Sequence, residues 1–350
     1  MLTNKRGDRK LSYLSRPNYL SAYIHYFLPW NLYRLCILLP ALELTFSSGD
    51  VITDLGCGPL TFASALWIAY PQTRNLSLEI NCIDRSNSAL NAGKKFLTAL
   101  CNNTGESSGI RDIPWKINII KEDIDFRKKN TINKRKKASL VCAINLFNEV
   151  YEHLSHNNTE ALRQAAEKSA MITRNEAAEK GLILTVEPGV PQSGKFISLL
   201  RGEFLNLGYS PIMPCTHLSA CPCLQTHNKP DGGRKWCHFS FETIKASKEL
   251  HILSQAAKLP KDRLAFSFLL TGRNPESNTY ISNTGIRIIS DAFPLPDKSF
   301  GRYGCSSRGL ILLTGEKNRI EKLASLNLVT NFTLSGQKDV KSGALIAEIK

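Results

Sequence analysis

No stretch of this sequence stays apolar for the roughly 20 residues that a bilayer-crossing helix needs. The nearest approach, WNLYRLCILLP at 30–40, is short and carries Arg34 in its middle. The opening MLTNKRGDRK leads into no signal-type apolar core, so a secreted disulfide framework is not expected, and the ten cysteines read as reduced thiols or ligands. A basic start leaves a mitochondrial transit segment open, although little sequence precedes the first expected helix. Acidic residues are also scarce: 30 Asp and Glu against 45 Lys and Arg leave a formal charge of +15. That excess favours a polyanionic partner, either RNA or an anionic membrane surface. The densest basic run, RKKNTINKRKK at 127–137, reads equally as a solvated loop or as an arm on phosphates. There is no internal repeat. At 350 residues and 42% hydrophobic content, the chain can bury a sizeable core in one large domain with an appendage, or in two domains.

Residues 11–47 are rich in Tyr and Leu at helical spacing, with breaks expected at Pro17, Pro29 and Pro40. They read as a helical lobe spanning 1–47. From Asp50 the pattern alternates. VITDLG, LSLEINCIDRS, WKINIIKED, ASLVCAINLFNEV and GLILTVEPG read as strands, with helices at TFASALWIAYP, NSALNAGKKFLTAL and TEALRQAAEKSAMITRNEAAEKG. Such alternation predicts an α/β domain over 48–315, its parallel sheet covered by helices and its ligands at the carboxyl ends of the strands. FSFLLTGR, GIRIISDAF and RGLILLTG read as strands completing that sheet, and 316–350 as a small β-rich module.

The turn in DLGCGPLTFASALW joins the first strand to a helix. Gly56 and Gly58 can adopt backbone conformations closed to other residues and let a ligand approach the main chain. Asp84 ends the second strand, where a carboxylate can accept both hydroxyls of a ribose. Asp54 ends the first strand and Asp123 follows the third; either can instead cap a helix or join a loop salt bridge. This order of an acidic strand end, a glycine turn and further acidic strand ends resembles the class I S-adenosylmethionine-dependent methyltransferases, whose sheet is Rossmann-like. The resemblance implies that Asp54 orients the amino-acid end of the cofactor, that Gly56 and Gly58 pass close to it, that Asp84 holds the ribose, and that Asp123 lies near the adenine. Neither an Asn or Asp followed by Pro and an aromatic nor a nucleophilic Cys follows the fourth strand, which ends AINLFNEV. Asn148 and Glu149 can face the methyl group or cap a helix, the cap being favoured, so the catalytic residue is left unassigned.

The stretch PCTHLSACPCLQTHNKPDGGRKWCHF, residues 214–239, collects four cysteines and three histidines. Cys215 and Cys221 have five residues between them, loose for a zinc knuckle, whereas an iron–sulfur cluster tolerates irregular spacing and can recruit a distant ligand. The glycine turn, then EPG, then PCTHLSACP and WCHFSF in that order resemble the mitochondrial small ribosomal subunit methyltransferase-like family, which has bacterial members. The likeness runs from the Tyr-rich helices near residue 17 to the strands around 315. It implies a four-iron four-sulfur cluster on Cys215, Cys221, Cys237 and Cys305, with zinc as the alternative. Cys223 can stand in for Cys221 or Cys237, and His217 or His238 can make a Cys/His zinc site. The resemblance further implies association with the small ribosomal subunit during its assembly, and the charge of +15 suits contact with its rRNA; no membrane partner is expected, and a monomer is expected when free. The expected setting is a bacterial cytoplasm or, alternatively, the mitochondrial matrix. Two versions stay open, an active rRNA methyltransferase and a cofactor-binding assembly factor without turnover. A small-molecule methyltransferase with a structural zinc or cluster loop is the reading from another class.

Overall fold

The structure, a computed structural model, describes residues 13–105, 114–124, 135–151, 154, 158–226, 235–273 and 285–349. The opening MLTNKRGDRK, most of the basic run at 127–137 and residues 227–234 of the cysteine loop lie outside the described residues.

Pro17 takes the first position of α1 (Pro17–Ala22), where a missing N–H leaves no helical bond unmade. A π-helical turn, Tyr23–Phe27, runs directly into α2 (Leu28–Ala41), so the break expected at Pro29 does not occur. Pro29 falls in the first turn of α2, just behind the π turn that has already shifted the hydrogen-bond ladder by one residue. Pro40 lies in the last turn, where little helix remains to disrupt.

Strands and helices then alternate: β1 (Val51–Leu55), α3 (Thr61–Ala69), β2 (Glu79–Asp84), α4 (Asn87–Gly105), β3 (Lys116–Lys121), β4 (Ala138–Ile144), α5 (Asn148–Tyr151), α6 (Thr159–Glu176) and β5 (Ala177–Pro188). Every residue of β1 is buried, as in a parallel strand covered on both faces. Ile52 stands opposite Ile80 of β2 and Leu140 of β4, both in parallel register. Strand β5 begins earlier than GLILTVEPG suggests, taking over four residues that read as helix. Gly181 lies close against β4: a Cβ there would come within 2.5 Å of the Ala138 carbonyl.

Next come α7 (Pro191–Asn206), β6 (Ser210–Met213), α8 (Pro222–Thr226), β7 (Phe239–Glu242), α9 (Lys248–Ala256) and β8 (Arg263–Gly272). The first sheet has the strand order β3-β2-β1-β4-β5-β8-β6, with β7 also on β8. Both β6 and β7 run antiparallel to β8. The order reverses between β1 and β4, and the crevice at such a reversal is where open α/β sheets bind ligands. This is the Rossmann-like strand order of a class I methyltransferase.

The remaining elements are β9 (Ile286–Ile288), β10 (Phe293–Pro294), β11 (Phe300–Ser306), β12 (Gly309–Gly315), α10 (Lys317–Lys322), β13 (Leu328–Val329), β14 (Phe332–Lys338) and β15 (Leu345–Ile349). Their strands form a second sheet in the order β13-β9-β11-β12-β15-β14, with β10 on β11. GIRIISDAF and RGLILLTG therefore belong to this sheet and do not complete the first. The reason is a core of their own: Ile286, Ile288, Ile311 and Leu313 pack with Ile320, Val329 and Ala347.

The chain divides into two compact units. One comprises Met1–His153, Met171–Leu184 and Thr243–Asp262; the other comprises Leu154–Ala170, Thr185–Glu242 and Arg263–Lys350. Helix α6 and strand β5 each begin in one unit and end in the other. Within the first unit, α9 anchors the helical lobe, Trp30 donating to Ser254 Oγ at 3.0 Å and Tyr26 to the Leu259 carbonyl at 2.6 Å. Among the described residues no helix is long and apolar enough to cross a membrane.

Candidate functional site

In the first unit, the carboxyl ends of β1, β2 and β4 open onto a cavity of about 380 Å³. Asp54, Gly56, Gly58, Asp84 and Asp123 all line it. The chain leaving β1 needs three left-handed residues in quick succession, Gly56 at φ +66°, Gly58 at φ +53° and Leu60 at φ +55°. A Cβ on Gly56 would stand 2.5 Å from Leu146 Cδ1, whereas one on Gly58 would meet nothing within 4 Å. Asp84 fastens this turn, accepting from Gly58 N–H at 2.9 Å and Ser86 N–H at 2.7 Å. Burial raises its carboxyl above the usual range, against those two bonds.

Asp54 is 1% exposed, and among the described residues neither of its oxygens has a hydrogen-bond partner. Burial first, and the nearby Asp84 second, push its carboxyl well above the ordinary value. An orphaned buried carboxylate at the mouth of a glycine turn is a strong acceptor awaiting a cationic donor. Glu122, Asp123 and Glu149 line the same cavity, with Arg85 as a cationic neighbour. Glu122 is engaged by Arg135 at 2.7 Å. The cavity is therefore acidic within a strongly basic chain, so it suits a ligand that carries positive charge.

Several lining residues carry no sequence signal. Tyr23 and Asn31 come from the helical lobe; Asn31 Nδ2 donates to the Tyr23 hydroxyl at 3.2 Å, and burial pushes that phenol up to about 12. Glu149, expected as a cap, does sit in the first turn of α5, but its carboxylate pairs with Arg85 at 2.7 Å. Asn145, at φ +52°, lines the cavity and has a buried Oδ1 without a partner among the described residues.

In the second unit, Cys215 follows β6, Cys221 precedes α8, Cys237 precedes β7 and Cys305 lies in β11. Cys223, in α8, is 1% exposed. Hydrogen bonding from Cys223 and Ser198 outweighs burial and lowers Cys221 to about 6. Burial raises Cys215, Cys237 and Cys305, and the neighbouring thiols add to each. His217 Nε2 lies 3.3 Å from Cys305 Sγ. Ser267 donates to the Cys237 carbonyl at 2.7 Å, tying that cysteine to β8. Four cysteines distant in sequence thus fall within one another's electrostatic reach. Among the described residues no three His, Cys, Asp or Glu side chains converge tightly enough to hold a single metal ion.

Residues 50–293 match the family described as mitochondrial small ribosomal subunit Rsm22. The match begins at the threshold of β1 and takes in the strand-end side of the cavity, Cys215, Cys221 and Cys237, while Tyr23, Asn31 and Cys305 lie outside it. No curated protein matches the chain significantly. Among solved structures, the plantazolicin methyltransferase BpumL with SAH is similar at 17% identity and TM-score 0.34, over 75% of this chain and 93% of its own. A SAM-dependent methyltransferase from Thiobacillus denitrificans with S-adenosyl-L-homocysteine is similar at 12% identity and TM-score 0.36, over 70% and 92%. One from Geobacter sulfurreducens, with the same ligand, is similar at 13% and 0.33, over 70% and 91%. The chain belongs to the mitochondrial small ribosomal subunit Rsm22 family.

Proposed function

We propose that this protein binds S-adenosylmethionine in the cavity of its first unit, holds a four-iron four-sulfur cluster in its second, and acts on the small ribosomal subunit during assembly, in contact with the rRNA. The observation that carries the reading is Asp54. Both its oxygens are buried without partners, in an acidic cavity large enough for a nucleoside-sized ligand. An ammonium group answers that need, and the open space over Gly58 leaves room beside the main chain. In this reading Asp54 receives the amino group, Gly56 and Gly58 lie along the ligand, Asp84 meets the ribose and Asp123 lies near the adenine. Bound there, S-adenosylmethionine supplies an electrophilic methyl group on a sulfonium. The chain's own part is to neutralise the ligand's positive charge and orient it at the ends of β1 and β4.

Cys215, Cys221, Cys237 and Cys305 are the proposed cluster ligands; zinc, the alternative, would require the same residues to draw closer together than they stand. The thiols' mutual electrostatic influence supports a shared centre. Their failure to converge on one ion is compatible with a cubane, which holds its thiolates farther apart than a single ion does. The family's name supports the small-subunit partner, and the formal charge of +15 supports phosphate contacts. Ten free thiols suit a reducing compartment, a bacterial cytoplasm or the mitochondrial matrix.

The test is calorimetric binding of S-adenosylmethionine and S-adenosylhomocysteine to the purified chain, followed by transfer of a labelled methyl group to small-subunit RNA. Binding that disappears in Asp54→Ala, with the fold retained, supports the cavity reading; equal binding in that variant refutes it. Labelled RNA adds methyl transfer to the assignment, whereas bound cofactor without label assigns the site to assembly without turnover.

A further inference from the structure

One stripe of α7 and one rung of the second sheet meet at the cysteine loop, and each brings an arginine. Gly194, Ser198 and Arg201 follow at steps of four and three, the spacing of a single helix face. A Cβ on Gly194 would stand 2.6 Å from Trp236, so that helix and the loop are in close contact. Ser198 Oγ lies 3.4 Å from Cys221 Sγ, and Arg201 Nη2 donates to the His217 carbonyl at 2.7 Å. From the sheet, Arg287 of β9 stands directly opposite Cys305 of β11, so both side chains leave the same face. Arg287 Nε donates to the Pro214 carbonyl at 3.1 Å. The two guanidinia thus hold the backbone on either side of Cys215.

Both arginines are nearly inaccessible, Arg201 at 3% and Arg287 at 8% exposed. Among the described residues neither forms an ion pair with a carboxylate. Arg135 by contrast pairs with Glu122 and Glu176, and the buried Arg302, although it forms no ion pair among the described residues, has Asp291 and Glu321 as acidic neighbours. A guanidinium does not shed its proton, so its burial demands an anion. Beside the loop, Arg201 Nε and Thr216 Oγ1 are buried donors with no acceptor among the described residues. Burial lowers Arg287, and Cys215, Cys237 and Cys305 are the groups that act against the fall.

Four thiolates around a cubane core of charge +2, or around a zinc ion, leave a charge of −2. Two guanidinia bring that to zero. We propose that Arg201 and Arg287 are the counter-ions of the centre held by Cys215, Cys221, Cys237 and Cys305, and that they fix it as a dianion. This inference rests on the cluster reading above.

The experiment uses the full chain, purified anaerobically as wild type, Arg201→Met, Arg287→Met, Arg201→Lys and Arg287→Lys. Iron, sulfide and zinc are measured, then metal release to a chelator and, for an iron centre, the midpoint potential. Each Met variant should release metal at least about tenfold faster than wild type. With iron, the equilibrium constant for one-electron reduction should fall about tenfold, which is about 59 mV more negative. The Lys variants, which keep the charge, should stay near wild type in both readouts. If the Met variants do not fold, the Lys variants decide alone. Met variants with wild-type release and potential, or Lys variants as impaired as Met, overturn the counter-ion role and leave the cluster reading standing. A folded wild-type chain that holds neither iron nor zinc overturns both.

Discussion

At the residue scale, Asp54 is the position whose environment runs most against its chemistry. Its carboxyl is raised by burial and by Asp84, so its linkage sign is opposite to that of a salt-bridged carboxylate. Relative to the unfolded chain, the stabilising balance is intact below the ordinary carboxyl value and is lost as pH rises through the elevated folded value. Each pH unit across that window costs about 1.4 kcal/mol. Asp54→Asn removes the penalty, so the ligand-free variant should melt higher than wild type at neutral pH, with the gap closing in acid. Thermal unfolding across pH measures this, and identical profiles would refute it. A cationic ligand reverses the preference by favouring the ionised carboxylate, so affinity for S-adenosylmethionine should increase with pH, and the Asp54→Asn substitution should flatten that dependence. That Asp54, Gly56, Gly58, Asp84 and Asp123 share one cavity was legible in the sequence because all five stand at strand ends or in the turn that follows the first strand. Tyr23 and Asn31 were not, because a wall supplied by a separate helical lobe leaves no periodic mark, and Glu149 reads as a cap or methyl-facing residue while its pairing with Arg85 depends on long-range contact.

At the element scale, α4 shows how closely the ligand-side turn is packed. A Cβ on Gly93 would fall 2.3 Å from the Pro59 backbone. Helix propensity alone favours Gly93→Ala by about 1 kcal/mol. The clash is with main chain, which cannot rotate away, so the net effect should be destabilising by about 1–3 kcal/mol, with weaker cofactor binding as the turn shifts. Thermal unfolding and cofactor titration check both, and a more stable variant would show that α4 has slack. The alternation of β1 through β5 was readable because buried parallel strands form short apolar runs. The second sheet was misassigned in part for the same reason: GIRIISDAF and RGLILLTG look like interior strands whichever core they serve, and only long-range pairing decides. Pro29 misled because its usual penalty depends on a regular ladder, and the π turn at Tyr23–Phe27 had already displaced it.

At the scale of the whole molecule, charge is the property that the sequence states most openly and that individual contacts explain least. With +15 overall and an acidic cavity, the basic excess lies elsewhere on the chain. RNA binding through phosphates should therefore weaken by orders of magnitude between about 50 and 200 mM salt, as counterion release requires. A titration of small-subunit RNA at several salt concentrations tests this, and a flat response would favour a small-molecule role. The interleaved division of the chain has another consequence, in the order of synthesis. The first unit draws its final segment, Thr243–Asp262, from far beyond the point where the second has begun. Domains tend to fold as they leave the ribosome, earliest segments first. Here most of the earliest unit has emerged by residue 184, but it lacks α9 until residue 262 follows, so Trp30 and Tyr26 of the helical lobe wait for Ser254 and Leu259 while much of the second unit is already being made.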